Sequence, residues 1–316
     1  MSSPAATSAA QATGHIVPDI DDSSSFDGLF DEDPSTFTAS ITSSILAFRE
    51  ENGRTYHSYK EGSYLFPNDE DEKNRLDLQH AVFLRTLGGK LYLAPLRKNV
   101  QDVIDIGTGT GLWALDFADE HPSAQVIGTD LSPIQPSSVP PNLRFLVDDA
   151  ELDWQYRQKF DFIHGRMLTS SLKDWDRFYE QCYKNIKPGG YVEMQDTALP
   201  LDCDDDTFPP SSAIYKWSDT VLKACAALER PIDIAKDHKK RMEKAGFVDV
   251  VEVRQKWPTN SWAKDPELKE IGRALGWSKE EVETFLPDVR KDIRDRRIHC
   301  YWPIYHVYGR KPETAE

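Results

Sequence analysis

The middle of the chain alternates between short apolar runs and segments whose apolar residues recur at helical spacing. Five apolar runs predict strands, at residues 100–106, 125–130, 143–147, 160–164 and 191–194. Segments 112–120 and 171–186 have the spacing of amphipathic helices. Because strands that alternate with helices form a parallel sheet covered on both faces, we predict an α/β fold with a doubly wound sheet.

Two longer apolar runs follow near the C-terminus, at residues 247–257 and 298–309. We expect them to form an antiparallel pair that closes the sheet and brings it to seven strands. A short turn often joins such a pair, but here residues 258–297 lie between them. The predicted architecture is a Rossmann-like, seven-stranded sheet with inserted segments.

The inserted segments 197–245 and 258–297 provide material for lid helices over a substrate. In the second of them, residues 265–276 and 279–297 have helical patterns, and Pro287 should break the latter. Three tryptophans fall in or beside this part: Trp257, Trp262 and Trp277. An aromatic lid favours an apolar or aromatic small-molecule substrate, while ordinary core packing of these rings is an equally open interpretation.

Residues 38–99 precede the first strand and predict an N-terminal helical cap. Residues 40–52 indicate a short helix, and a second helix begins after Asn68 or Asp69, either of which can cap it. Two glycines at 88 and 89 end this second helix. Its apolar positions fall on one face, which we expect to be buried: Leu76, His80, Phe83, Leu84 and Leu87.

Charge is distributed unevenly along the chain. The 316 residues include 38 Lys+Arg and 53 Asp+Glu, a formal net charge of −15. Residues 1–37 hold seven acids and no Lys or Arg, so the remainder carries −15 + 7 = −8. We interpret residues 1–37 as a disordered acidic tail. The acidic excess of the rest weighs against a nucleic-acid partner, which requires a basic surface.

Membrane, export and metal signals are missing from the sequence. No window reaches the ~20 apolar residues of a membrane span, and the N-terminus lacks the pattern of a signal peptide. The four cysteines lie far apart without zinc-like spacing: Cys182, Cys203, Cys225 and Cys300. We therefore expect no membrane partner, no metal site, reduced thiols and a cytoplasmic location, with the nucleus as the alternative.

The turn after the first predicted strand reads DIGTGTG, residues 105–111. Its glycines let the backbone turn tightly and approach a ligand closely. A dinucleotide-binding turn would have glycine at position 112, where this chain has Leu112. Asp105 would repel a pyrophosphate, but it suits a ligand that bears an amino group.

Acidic residues end the next two predicted strands. Asp130, followed by Leu131, can accept hydrogen bonds from both hydroxyls of a ribose. Asp149, followed by Ala150, can reach an adenine amino group, and we expect the neighbouring Asp148 to face solvent. An amino-acid group, a ribose and an adenine in this chain order describe S-adenosylmethionine. The predicted cofactor-binding residues are Asp105, Gly107, Thr108, Gly109, Gly111, Asp130, Leu131, Asp149 and Ala150.

The chain from about residue 50 to 311 resembles the fungal LaeA-like branch of the class I, seven-stranded methyltransferases. DIGTGTG and the GTD of residues 128–130 are typical of the superfamily. Other segments are more specific to the branch: GRTYHSY (53–59), LFPNDEDEKNRLDLQH (65–80), LGGKLYLAPL (87–96), FDFIHGRML (160–168), KPGGYVEMQD (187–196) and IHCYWPIYHVYGRKP (298–312).

The resemblance implies a methyltransferase domain over residues 100–312, with cofactor contacts at Asp105, Gly107, Gly109, Asp130, Asp149 and Ala150. We expect methyl transfer from S-adenosylmethionine to a small molecule in fungal secondary metabolism. The alternative is a LaeA-like nuclear regulator that works through protein partners. The branch contains both kinds of protein, so it leaves the substrate and the acceptor atom open.

Residues after the fourth and fifth strands should face the reactive methyl group. His164 is a candidate general base, although a structural histidine is the commoner case. Arg166 can anchor a substrate carboxylate or pair with a neighbouring acid, and we favour the second. Glu193 and Asp196 are candidates for lining the site.

Aromatic residues of the N-terminal segment can hold the cofactor's positive charge. Tyr56 is the second candidate catalytic residue, and Tyr59 and Tyr64 lie close to it in sequence. Packing of Tyr56 between the cap and the core is an equally open interpretation.

Overall fold

The computed structural model describes residues 49–51, 54–56, 67–274 and 287–313. The strands are β1 (Arg49–Glu51), β2 (Arg54–Tyr56), β3 (Asp102–Ile106), β4 (Gln125–Asp130), β5 (Leu143–Val147), β6 (Phe160–Arg166), β7 (Ile186–Thr197), β8 (Asp202–Cys203), β9 (Val248–Pro258) and β10 (Cys300–Arg310). The helices are α1 (Glu70–Thr86), α2 (Leu112–Glu120), α3 (Trp175–Asn185), α4 (Ala213–Ala227), α5 (His238–Lys244), α6 (Pro266–Ala274) and α7 (Pro287–Arg294), with a 3-10 turn at Ile234–Asp237.

The central sheet has the order β5-β4-β3-β6-β7-β10-β9. The first five strands are parallel, and β10 runs antiparallel between β7 and β9. The two-residue strand β8 pairs with the start of β10. The predicted doubly wound, seven-stranded sheet is confirmed, with β8 as an eighth, short member.

Alternation along the strands divides the core into two layers, one on each face of the sheet. On β3, Val103 packs with the α2 ring Trp113, whereas Ile104 belongs to the layer that contains Phe178 of α3. Successive side chains of a strand point to opposite faces, so one buried strand supplies both layers. The sheet is therefore covered by helices on both sides, as its apolar strands predict.

The N-terminal cap is only partly helical. Residues 49–51, predicted as part of a helix, form β1 and pair antiparallel with β2. The rest of that predicted helix lies outside the described residues, as does the predicted tail. The helix predicted after Asn68 or Asp69 is present as α1, and the Asp69 side chain caps it by accepting from the backbone N–H of Glu72.

One predicted helix boundary is wrong for a local reason. Helix α3 begins at Trp175 rather than at 171, because the Asp174 side chain accepts from the Arg177 N–H and fixes the start there. Pro287 begins α7, so a helix boundary lies where the sequence predicts a break. Proline suits this position because the first turn of a helix needs no donor. Residues 275–286 are outside the described part. Among the helices that the structure describes, none is long and apolar enough to cross a membrane.

Candidate active site

A cavity of about 1040 Å³ opens at the carboxyl ends of the parallel strands. The strand order reverses between β3 and β6, and such a reversal creates a crevice at the sheet edge. One half of the cavity is lined by the DIGTGTG loop and by residues that follow β4 and β5. The other half is lined by α1, by residues after β6 and β7, and by aromatic rings of later elements.

The glycine loop has a backbone conformation that is strained for residues other than glycine. Gly107, Gly109 and Gly111 all have positive φ, at +66°, +58° and +84°. A Cβ on Gly107 would lie 2.3 Å from Leu168 Cδ2, and one on Gly111 would lie 2.4 Å from Phe145 Cζ. The loop is thus held against two apolar side chains while its backbone faces the cavity. This arrangement fits a ligand that contacts the backbone closely.

Asp105 lies beneath this loop with only 2% of its surface exposed. Its Oδ2 accepts a 2.6 Å hydrogen bond from Thr108 Oγ1. Its Oδ1 lies 2.7 Å from Nδ1 of His164. Asp105 and Thr108 also line the cavity. The carboxylate therefore stabilises the loop and places a negative charge at the cavity wall.

Asp130 ends β4 and is held by two backbone donors. Its Oδ2 accepts from the Gly109 N–H and its Oδ1 from the Ser132 N–H, both at 2.9 Å. Each oxygen keeps a further lone pair for a ligand hydroxyl. Desolvation raises the pKa of Asp130 to about 6, although both backbone hydrogen bonds act in the opposite direction. The adjoining Leu131 also lines the cavity.

The two acids after β5 differ in their contacts, and the surroundings of Asp148 differ from the prediction. Asp149 is buried, and its Oδ1 accepts from the Glu151 N–H at 2.8 Å. Asp148 is half-buried and accepts a 2.6 Å hydrogen bond from the Tyr156 hydroxyl. The prediction that Asp148 faces solvent is wrong, because Tyr156 covers it. Both acids and Ala150 line the cavity.

His164 is fully buried behind the loop and does not line the cavity. Its ring stacks on Trp113 with centroids 3.7 Å apart, and burial lowers its pKa. A neutral imidazole next to a carboxylate donates through Nδ1, so His164 holds Asp105 in place. A general base must reach the proton that it removes. The position of His164 therefore argues against the base hypothesis and favours a structural role.

Three other predicted residues lie away from the cavity. Tyr56 is half-buried on β2 and is not part of the described lining, whereas Tyr59 and Tyr64 lie outside the described residues. Glu193 accepts from the backbone N–H groups of Leu93 and Ala94. Asp196 accepts from the Thr169 N–H and lies 2.8 Å from His238 Nε2. Because both carboxylates are buried by these contacts, the prediction that they line the site is wrong.

Three tryptophan side chains contribute to the far half of the cavity. Trp217, Trp257 and Trp302 line it, and the rings of Trp217 and Trp302 meet edge to face at 5.9 Å. Trp262 stacks on His299 instead, and Trp277 is not among the described residues. Sequence patterns did not single out Trp217 or Trp302, because only the pairing of distant segments brings them here. Among the described residues, no group of three side chains can hold a metal ion.

Comparison with known proteins agrees with this geometry. A family model described as a methyltransferase domain matches residues 78–253. Methyltransferase pytC of Aspergillus terreus is 39% identical over 301 residues, covering 89% of this chain and 93% of that protein. The secondary metabolism regulator LAE1 of Cochliobolus heterostrophus is 37% identical over 292 residues, covering 83% and 94%.

A third relative carries a different name. The protein-methionine methyltransferase laeA of Emericella nidulans is 32% identical over 290 residues, covering 84% of this chain and 77% of that protein. The matched regions in all three extend well beyond the cofactor loop. This chain therefore belongs to the S-adenosylmethionine-dependent methyltransferases and, within them, to the fungal LaeA-like branch, as its motifs predict.

Proposed function

We propose that the chain transfers a methyl group from S-adenosylmethionine to a small molecule of fungal secondary metabolism. The observation that carries the proposal is the shape of the cavity. Its loop-lined half continues into a half whose wall combines polar residues of α1 with aromatic and apolar side chains, such as Trp257, Trp302 and Leu199. A small apolar molecule can enter such a space, and the match to pytC supports a biosynthetic role.

The loop-lined half fits the cofactor through three acids near the carboxyl ends of β3, β4 and β5. The Asp105 carboxylate would attract the ammonium group of the methionine part. Asp130 would accept from the ribose hydroxyls, and Asp149 would accept from the adenine amino group. Gly107, Thr108, Gly109 and Gly111 would let the backbone approach the cofactor, and Leu131 and Ala150 would complete this half of the wall. When bound, the cofactor supplies an electrophilic methyl group on a sulfonium sulfur.

The protein's contribution to the reaction is alignment and exclusion of water. The acceptor's lone pair must lie in line with the methyl–sulfur bond, which the walls of the aromatic half enforce. Aromatic faces attract a positive sulfonium, and Trp257 and Trp302 line this half. His164 and Tyr56 are not part of the described cavity lining, so the transfer itself is assigned to alignment. A proton lost by an O–H or N–H acceptor would pass to solvent.

Binding of S-adenosylhomocysteine, measured by isothermal titration calorimetry, tests the cofactor half. Wild type should bind it, and Gly107→Arg should abolish binding because the new side chain meets Leu168 in a strained backbone conformation. Asp130→Ala should weaken binding at least tenfold. Arg177→Gln, a change on the exposed surface of α3, should have no effect. Absence of binding to the wild type would overturn the proposal.

A labelling experiment tests the substrate class. The protein is incubated with trideuteromethyl-labelled S-adenosylmethionine and with two fractions of a fungal extract, one of small molecules and one of proteins. Label in the small-molecule fraction, absent with Gly107→Arg, is the expected result. Label in the proteins alone would contradict it.

The second candidate function is regulation through a protein partner, in the cytoplasm or the nucleus. It is favoured by one observation, the 37% identity to the regulator LAE1. The laeA relative named as a protein-methionine methyltransferase extends this candidate to modification of proteins. The labelling experiment separates the two, since a protein substrate would carry the label.

A further inference from the structure

One cation of the cavity wall differs from its neighbours in what it contacts. Arg54 pairs with Asp69 and Arg75 with Glu72, so both guanidinium groups have a carboxylate partner. Arg166 also lines the cavity. Within the described part of the chain, Arg166 makes no ion pair with a carboxylate. The expectation that it pairs with a neighbouring acid is therefore wrong.

The guanidinium of Arg166 is instead held by two uncharged groups. Its Nη2 lies 2.9 Å from His80 Nδ1, and its Cζ lies 4.9 Å above the Phe83 ring. Burial lowers the pKa of Arg166 to about 10, so the side chain remains positive at neutral pH. By surface exposure Arg166 is half-buried. Asp105 and Asp116 attract its charge without forming an ion pair with it. A ligand anion in direct contact would compensate this charge more fully.

The contact with Arg166 determines which ring nitrogen of His80 carries the proton. Arginine only donates, so His80 Nδ1 accepts and the proton of the ring is on Nε2. That nitrogen lies 2.8 Å from Asp116 Oδ2, at a carboxylate that is 43% exposed. The contacts that run from Asp116 through His80 orient the Arg166 guanidinium, so His80 acts as a positioning residue.

The position of Arg166 places its charge beside the aromatic half. Phe83, which it covers, meets Trp257 edge to face with centroids 4.7 Å apart. Trp257 lines the cavity together with Leu199, Val221 and Ile232, which are all apolar. This part of the lining combines apolar side chains with the Arg166 cation, a combination that matches a ligand with an apolar body and one acidic group.

Resting on the proposed function, we infer that the methyl acceptor is an apolar or aromatic small molecule with an anionic oxygen, which Arg166 binds. A carboxylate is the reference case, because a guanidinium can donate two parallel hydrogen bonds to it. The cofactor also carries a carboxylate, so the experiment must separate the two sources.

The cofactor arm compares S-adenosylhomocysteine with 5′-methylthioadenosine, which lacks the amino-acid carboxylate. Both are titrated by calorimetry into wild type, Arg166→Gln and Arg166→Lys. We expect Arg166→Gln to change neither affinity by more than threefold. A tenfold loss for S-adenosylhomocysteine alone would assign Arg166 to the cofactor and overturn the inference. Absence of S-adenosylhomocysteine binding to wild type would instead overturn the proposed function.

The acceptor arm uses 2-naphthoate and 2-naphthamide, which share an aromatic body and differ in charge. Their dissociation constants are measured by ligand-observed NMR on the protein loaded with S-adenosylhomocysteine. Wild type should bind the naphthoate at least tenfold more tightly. Arg166→Gln should abolish this preference, and Arg166→Lys should retain part of it. Equal binding of the two probes to wild type, or an unchanged preference in Arg166→Gln, would refute the inference.

Variants of His80 test how the charge is positioned. His80→Asn keeps an acceptor near the place of Nδ1 and should retain most of the naphthoate preference, whereas His80→Leu should reduce it about threefold or more. Arg177→Gln, on the exposed surface, is the matched control and should leave the preference unchanged. Thermal melts monitored by circular dichroism confirm that each variant is folded. An intact preference in His80→Leu would refute the positioning role.

Discussion

At the scale of single residues, burial decides the roles more than residue type does. His164 has the chemistry of a base, yet it is enclosed between Trp113 and Asp105. Arg166 and His80 receive their roles from contacts between β6 and α1, which are 86 residues apart in the chain at this point. Sequence patterns predicted cofactor contacts for the acids near the carboxyl ends of β3, β4 and β5, and all three line the cavity, because strand ends fix their location. They do not reveal which polar side chains face each other across the core.

Replacement of His164 separates a positioning role from a base. His164→Asn keeps a donor toward Asp105 and should hold affinity for S-adenosylhomocysteine within about threefold. His164→Leu removes a hydrogen bond to a charged group, worth about 1.5–3 kcal/mol, and should weaken binding tenfold or more. Calorimetry measures both. If His164→Asn binds S-adenosylhomocysteine with wild-type affinity but transfers no labelled methyl group to an acceptor in the extract, the result would support the base hypothesis.

The proposed ribose contact of Asp130 predicts that cofactor affinity depends on pH. The ribose hydroxyls would donate to the ionised carboxylate, and desolvation raises the pKa of Asp130 to about 6. Below this pH the free protein holds a proton that binding must release, so affinity should fall as pH falls. Between pH 7.5 and 5.0 the dissociation constant of S-adenosylhomocysteine should rise about tenfold, with about fivefold of this between pH 6.0 and 5.0. Calorimetry at pH 7.5, 6.0 and 5.0 checks this, and Asp130→Asn should show a flatter profile.

At the scale of elements, the helix α1 is joined to the antiparallel end of the sheet by a small number of polar contacts. Thr86 Oγ1 accepts from the indole N–H of Trp257 at 2.8 Å. The backbone oxygen of the same residue accepts from Gln255 Nε2 at 3.0 Å. These contacts hold one wall of the cavity on β9. Sequence periodicity predicted the last turn of α1, on which this wall depends. It did not predict the contacts of that turn with Trp257 and Gln255.

Removal of the Thr86 hydroxyl tests this attachment. Thr86→Val keeps the shape but leaves the buried indole N–H without an acceptor, so the free energy of unfolding should fall by about 1–3 kcal/mol. Thr220→Val is the matched control. The Thr220 hydroxyl also lies on a helix, where it donates to the backbone carbonyl of Lys216, but its position is exposed. Urea unfolding measures both variants. Equal losses would show that the contact with Trp257 contributes nothing specific.

Strands and helices of the central region were predictable to within a few residues. The segments 112–120, 125–130 and 143–147 have the predicted limits, because glycine, proline and acidic residues bound them. The hairpin of β1 and β2 was not predictable from the apolar pattern of residues 40–52. The pairing of β1 depends on its partner strand, which contains Thr55 and Tyr56. Both residue types favour strands, but they lie outside the segment from which the helix was predicted.

At the scale of the whole molecule, the described segment between α1 and β3 is joined to the sheet by buried hydrogen bonds. Glu193 of β7 accepts from the backbone of residues 93 and 94, and Trp113 donates to the Leu91 carbonyl. These contacts bind the segment between α1 and β3 to the sheet. Both the cofactor half and the acceptor half of the cavity then depend on a single folded unit.

Ligand binding should stabilise this unit as a whole. S-adenosylhomocysteine at 100 times its dissociation constant adds about 2.7 kcal/mol to the free energy of unfolding. For a domain of this size the melting temperature should then rise by roughly 5–10 °C. Differential scanning calorimetry should show one transition that shifts as a whole. A first transition that does not move would mean that the two parts unfold separately.

The two halves of the cavity come from different parts of the chain, and this has a consequence for evolution. The loop-lined half depends on residues between 105 and 150, whereas Trp217 lies on α4, Trp257 on β9 and Trp302 on β10. Under the proposed function, mutation of these tryptophans would alter the choice of acceptor without loss of the donor. Directed selection at these three positions therefore offers a route to new acceptors.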